Sequence, residues 1–250
     1  MNRFATCVVF SFLLFSLPLA TGDDPVSAPV AEADMPGKTV EKPDSAPKFD
    51  WRPMTGKWVS SQFGGDGSLE IKPDAKSGDS VKLGVGDPLS GVRWEGDAPK
   101  ESFEIEVEAR RTDGFDFFCG LTFPVGEKNV TYVLGGWGGG VVGISSIDGL
   151  DASENSQTYY QTFENGTWYK VRARVDPYQI QTWVDDKLSI EQPREGHSFG
   201  LRYEMEVCMP IGIAAYMCDV EYRKPRIRSL TETELAEAKL AAEKRKAEDE

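Results

Sequence analysis

The sequence predicts an all-β protein: a two-sheet antiparallel sandwich followed by a C-terminal helix. Three observations carry this. Between Phe49 and Leu230 apolar and polar residues alternate with a period of two, the pattern of half-buried strands. More than ten such runs fall within roughly 180 residues, too many for a single sheet, and no βαβ rhythm interrupts them. The 25 glycines and 15 prolines supply turns and weigh against a helical bundle.

The chain opens on a segment to be set aside. Arg3 precedes an apolar run, Cys7 to Leu17, with small residues at Ala20, Thr21 and Gly22, so residues 1–22 read as an export signal. The run is shorter than the ~20 residues a membrane helix needs, and the mature chain is expected to be exported, periplasmic or extracellular, and not inserted in a membrane. Residues 23–48 hold five prolines and no aromatic residue and read as an extended linker.

Residues 49–230 form the predicted β domain. Phe103, Ile105, Val107 and Ala109 alternate with Glu104, Glu106, Glu108 and Arg110, and Val171, Ala173 and Val175 alternate with Lys170, Arg172 and Arg174. Further strands are expected at 68–72, 80–86, 90–95, 116–124, 130–137, 141–147, 157–163, 198–205, 211–217 and 220–229. Gln179–Val184 and Lys187–Glu191 read as a hairpin turning at Asp185-Asp186. The glutamate-bearing strand is expected beside at least one of the basic strands, since facing opposite charges stabilise by about 0.2–1 kcal/mol per pair. Residues 231–250 switch to helix formers. Thr231 and Glu234 make a capping box, but the stripe Leu235, Ala238, Ala242 is thin, so a frayed, solvated helix is expected, with a protein-binding helix as the rival.

Composition excludes several functions. The formal charge of −13 lacks the basic footprint that nucleic acid or anionic lipid requires. Cys119, Cys208 and Cys218 are an odd set without a CxxC pair, so neither a disulfide scaffold nor a zinc site is expected, and pairing of Cys208 with Cys218 stays open. The single histidine, His197, sits in a polar loop sequence and leaves no nucleophilic triad.

Tyr132 to Gly149 is the most unusual stretch. Its glycines formally match GxGxxG at Gly138–Gly143, but β-branched residues follow where a dinucleotide fold needs a helix. A tight connection between strands fits better, with room for another group to approach the backbone. Asp148, Asp151 and Glu154 line an oxygen-rich loop of the kind calcium accepts, although its spacing is not that of an EF-hand; no cofactor is otherwise evident.

The stretches FEIEVEARR (103–111), CGLTF (119–123), ENGTWYKVRARV (164–175), IQTWVDDKLSI (180–190) and IGIAAY with YRKPRIRSL (211–230) together resemble the concanavalin A-like lectin/glucanase superfamily. The nearest resemblance is to 3-keto-disaccharide hydrolase domains. This resemblance implies a jelly-roll whose concave sheet meets carbohydrate. No acid-rich or histidine-containing site pattern follows the Gly-containing strand, so no catalytic residue is carried over. The expected function is a secreted carbohydrate-binding domain. Tyr132, Trp137, Trp183 and Tyr216 are the expected sugar-stacking rings, with Asp148 or Asp151 as hydrogen-bond partners. The alternatives are a hydrolase or lyase acting on glycosidic bonds, and a non-catalytic cell-surface interaction protein.

Overall fold

A computed structural model describes residues 50–249; the signal and linker expected at 1–48 lie outside them. In chain order the strands are β1 (Arg52–Pro53), β2 (Trp58–Ser60), β3 (Leu69–Lys72), β4 (Ser80–Leu83), β5 (Leu89–Trp94), β6 (Phe103–Gly114), β7 (Cys119–Val125) and β8 (Lys128–Gly135). There follow β9 (Val141–Ser145), β10 (Tyr159–Tyr160), β11 (Tyr169–Val175), β12 (Gln179–Val184), β13 (Lys187–Pro193), β14 (Gly212–Tyr216) and β15 (Cys218–Ser229). They form the expected two-sheet antiparallel jelly-roll sandwich. One sheet runs β13-β12-β11-β6-β15-β4-β3, with β1 paired to β15; the other runs β10-β9-β8-β7-β14-β5-β2. The last two strands, β14 and β15, insert between earlier ones, so both sheets are closed by long-range pairing.

The period-two pattern explains the layering. Phe103, Ile105, Val107 and Ala109 point inward from β6 and meet Leu121, Phe123 and Tyr132 from the facing sheet. The turn between β12 and β13 sits at Asp185 and Asp186, both with positive φ (49° and 63°), as a tight hairpin requires.

The outer face of the eight-stranded sheet is a charge ladder. β6 lies between both basic strands: Lys170, Arg172 and Arg174 stand opposite Glu108, Glu106 and Glu104, and Arg223, Arg226 and Arg228 stand opposite the same three glutamates. Glu104 receives Arg172 at 3.0 Å, Arg174 at 2.8 Å and also Arg228; Glu104 and Arg228 are each only 1% exposed. Tryptophan rings cap the ladder. Arg172 lies 4.0 Å over Trp183, Arg223 3.9 Å over Trp168 and Arg226 4.6 Å over Trp51.

Two expectations are corrected. The strand expected at 198–205 is replaced by a 3-10 helix, Tyr203–Cys208, whose N–H groups bond three residues back, Met205 to Arg202 and Met209 to Glu206. Burial of Met205 and Cys208 against the other sheet's outer face favours this compact turn over an extended strand. The C-terminal helix, Glu232–Asp249, is anchored rather than merely solvated. Its apolar stripe is thin as expected, but Glu234 accepts from Arg228 at 2.7 and 2.8 Å and from Arg174 at 3.0 Å while closing the capping box with Thr231. Hydrogen bonding from Arg228 first, then the Thr231 N–H and the nearby guanidinium charges, holds the Glu234 carboxyl down at about 2. Further along, Arg245 reaches Glu191 and Lys246 reaches Glu195.

Among the described residues Cys119, Cys208 and Cys218 are free. Cys208 sits on the outer face of the seven-stranded sheet, whereas Cys218 belongs to the inner core; a sheet lies between them.

Candidate functional site

The outer face of the seven-stranded sheet is the counterpart of the ladder, and it carries small side chains. Gly120 on β7, Gly143 on β9 and Ala214 on β14 let other groups close over them (Ala152 over Gly143, the second apolar cluster over Ala214), and Thr131 and Val133 on β8 with Ser145 on β9 leave a shallow floor. Gly91 on β5 is required here: a Cβ at that position would come within 2.7 Å of the Phe63 ring, which packs with Ala214, Phe117, Met205 and Cys208. This second apolar cluster fixes the 3-10 helix over part of the floor. The uncovered part is a groove of about 680 Å³.

One wall of the groove is the glycine-rich connection between β8 and β9. Trp137 (φ 48°), Gly138 (φ 86°) and Gly139 (φ 105°) take left-handed backbone in succession. A Cβ at Gly139 would meet the Phe115 carbonyl at 2.5 Å, which is the close approach the glycines allow. Asp116 pins the turn. One carboxylate oxygen accepts the Phe117 N–H at 2.7 Å and the other accepts the Gly138 N–H at 2.9 Å. Buried Arg111 holds the same loop by donating to the Asp116 carbonyl at 2.9 Å and the Phe163 carbonyl at 2.8 Å. Trp137 is thereby presented 47% exposed. Tyr216 borders the same groove, its ring 5.9 Å from that of Phe117.

The opposite wall is the 3-10 helix, which turns Tyr203, Glu204, Glu206 and Val207 to the groove while Met205 and Cys208 point into the cluster. Burial pushes the Cys208 thiol up to about 12, so it is a packing group rather than a nucleophile. Arg202 closes one end: it donates to Glu204 at 2.6 Å and to Asp151, and Asp151 also accepts the Ser145 hydroxyl.

Of the six residues expected at the site, the structure brings Trp137 and Tyr216 to one groove and puts Asp151 behind it, supporting Arg202 and Ser145. The other three lie elsewhere. Tyr132 is fully buried, because its position in β8 faces inward; its hydroxyl shares a hydrogen bond with Ser189 at 2.6 Å and cannot present a stacking face. Trp183 belongs to the charge ladder on the other sheet, where the Arg172 guanidinium covers it. Asp148 bonds His197 Nδ1 at 2.6 Å and accepts the Ser198 N–H at 2.7 Å, tying two loops together. The Ser198 N–H first, and His197 next, hold its carboxyl below the ordinary range. The carboxylates of the oxygen-rich loop are thus turned to different partners, and among the described residues no group of three or more His, Cys, Asp or Glu is placed to hold a metal ion.

Tyr203, Phe117 and Arg202 have no sequence signal for this role. Phe117 and Tyr203 read as strand residues in a period-two count, and only the replacement of the 198–205 strand exposes Tyr203. The one available hint is Phe115-Asp116-Phe117-Phe118, aromatic residues crowded around an acid beside a glycine.

No protein-family model and no curated protein sequence matches this chain. Solved structures are similar at low identity. They include the carbohydrate binding module CBM66 from Bacillus subtilis, at 12% identity, TM-score 0.44, covering 70% of this chain and 97% of that one. Domain 4 of an extracellular arabinanase from Geobacillus stearothermophilus, in complex with arabinotriose, aligns at 12% identity and TM-score 0.42 over 74% of this chain and 88% of its own. A Bacillus subtilis protein of unknown function with a galectin-like fold aligns at 10% identity and TM-score 0.46, over 72% and 94%.

Proposed function

We propose that this chain is an exported carbohydrate-binding sandwich that holds a glycan in the groove between Trp137, Tyr216 and the 3-10 helix. One observation carries the reading. Trp58 and Trp94 pack against each other in the core and Trp51, Trp168 and Trp183 each lie against an arginine guanidinium, whereas Trp137 stands exposed at the rim of a groove. An exposed indole costs solvation unless something apolar and flat covers it, and the face of a sugar ring does so. Arg202 and Glu206, both exposed and lining the groove, offer polar partners for hydroxyl groups. Export rests on the N-terminal apolar run alone.

The test is a glycan array probed with the wild type and with Trp137→Ala. Binding to a defined set of glycans, lost in the variant, supports the proposal; a wild type that retains no glycan overturns it.

The narrower kinship with 3-keto-disaccharide hydrolase domains would make the same groove an active site. It would need two carboxyl groups free to act on one bond. Asp116 has both oxygens occupied by backbone N–H groups and Glu204 is paired with Arg202, which leaves Asp87 and Glu206 as the two carboxyls such an enzyme would have to use; the exposed Trp137 indole favours binding over cleavage. Release of reducing ends from a 3-keto-disaccharide would reverse that preference.

A further inference from the structure

Resting on the carbohydrate reading of the groove, we infer that it discriminates by charge and takes glycans bearing free amino groups in preference to neutral ones, and excludes uronic or sulfated glycans. The groove and its aromatic faces define the site; the charges around it choose the sign of the ligand. Four carboxylates line it, Asp87, Asp116, Glu204 and Glu206, against a single guanidinium, Arg202. Arg202 is already neutralised, donating to Glu204 at 2.6 Å and to Asp151 behind it. An anionic sugar entering the groove finds no uncommitted cation there. It would have to be desolvated beside several carboxylates, which is unfavourable.

The aromatic surfaces act in the same direction. The faces of Trp137, Tyr216 and Phe117 carry the negative side of the ring quadrupole, which attracts a cation and repels an anion. An ammonium group held against these rings and next to Glu206 or Asp87 gains from both. The same features leave a neutral sugar ring only its stacking and hydroxyl contacts.

Short oligomers of one length separate the possibilities: a glucosamine tetramer, its fully N-acetylated counterpart, and a galacturonic acid tetramer, each titrated calorimetrically at low and high salt. The glucosamine tetramer is expected to bind about tenfold more tightly than the N-acetylated one at low ionic strength, with the ratio shrinking at ~0.5 M salt, and the galacturonic acid tetramer not to bind. Glu206→Gln with Asp87→Asn should cut the preference, read as the ratio of the two affinities, to about twofold. Because the whole chain is acidic, Trp137→Ala is the control: it must abolish binding of the amine. Amine binding that survives in Trp137→Ala is bulk charge attraction and overturns the inference. So does equal or tighter binding of the N-acetylated or acidic tetramer, which leaves the carbohydrate reading standing. If none of the three binds and the glycan array is also blank, both fall.

Discussion

The two outer faces of this sandwich solve the same problem in opposite ways. Both sheets are built from strands whose alternate residues leave the core. On the eight-stranded sheet those residues are glutamates and arginines that pair across β11, β6 and β15 and are roofed by Trp51, Trp168 and Trp183. On the seven-stranded sheet many of them are small, Gly, Ala, Ser and Thr with Val133 and Tyr216 between them, roofed only in part by the 3-10 helix. The first face satisfies its own charges and needs nothing from outside. The second leaves a groove and an uncovered indole. Surface composition alone would rank the charged, tryptophan-rich face as the binding face; the pairing shows that its charges are already matched.

The strongest way to break this comparison is to unbalance the ladder. Glu104 is the acceptor for Arg172, Arg174 and Arg228 and is buried with Arg228. Glu104→Ala should cost about 3–5 kcal/mol, because a buried guanidinium loses its counter-charge. Chemical denaturation checks this, and a loss under about 1 kcal/mol would reduce the ladder to solvated decoration.

Second in size is the effect on binding. Trp137→Ala should weaken the glycan by about 2 kcal/mol, some thirtyfold, as a central aromatic anchor does. Since Trp137 is half exposed, the unfolding midpoint should move little. A variant that loses stability and keeps affinity would show that the indole props the turn rather than meeting a ligand.

How much of this contrast the sequence displays depends on what each face is made of. Alternating Glu and Lys/Arg are visible as text, so the placement of 103–111 beside at least one of 170–174 and 226–228 follows from charge before any coordinate is known, and the structure goes further by setting the acidic strand between both basic ones. A floor of small residues has no such signature: Gly120, Gly143 and Ala214 look like weak strand positions until the sheet is assembled. The same gap explains the misplaced rings. Alternation tells that Tyr132 and Trp183 point to opposite faces from their neighbours, but not which face is the core, and Tyr132 faces in while Trp183 faces out against Arg172. The 3-10 helix at Tyr203–Cys208 is hidden because its burial is set by Phe63 and Ala214, neither of them adjacent in sequence.

A third and smaller effect concerns the helix that seals the charged side. The Glu234 carboxyl titrates at about 2 in the folded chain, below its ordinary value near 4.5. A folded pKa below the unfolded one means that the anchor contributes fully above about pH 4.5 and is lost as pH falls from there towards 2. With allowance for partial solvent screening the contribution is about 1–2 kcal/mol. The stability difference between wild type and Glu234→Gln should therefore be present at pH 6 and close progressively below pH 4.5; a difference independent of pH would assign the anchor to the capping box with Thr231 instead.

The smallest expected effect is the sharpest on the comparison itself. Trp183→Ala removes a ring as large as that of Trp137, from a position equally conspicuous in the sequence, yet it should leave glycan affinity unchanged. Its cost should appear in stability, about 1 kcal/mol for taking the indole away from the guanidinium beneath it, because Arg172 keeps its Glu104 partner and loses only the roof. Paired with Trp137→Ala, it makes a crossed design: one tryptophan moves binding without stability, the other stability without binding. If Trp183→Ala weakens the glycan as much as Trp137→Ala does, then the ladder face is not closed to ligands and the division of labour between the two sheets is wrong at its root.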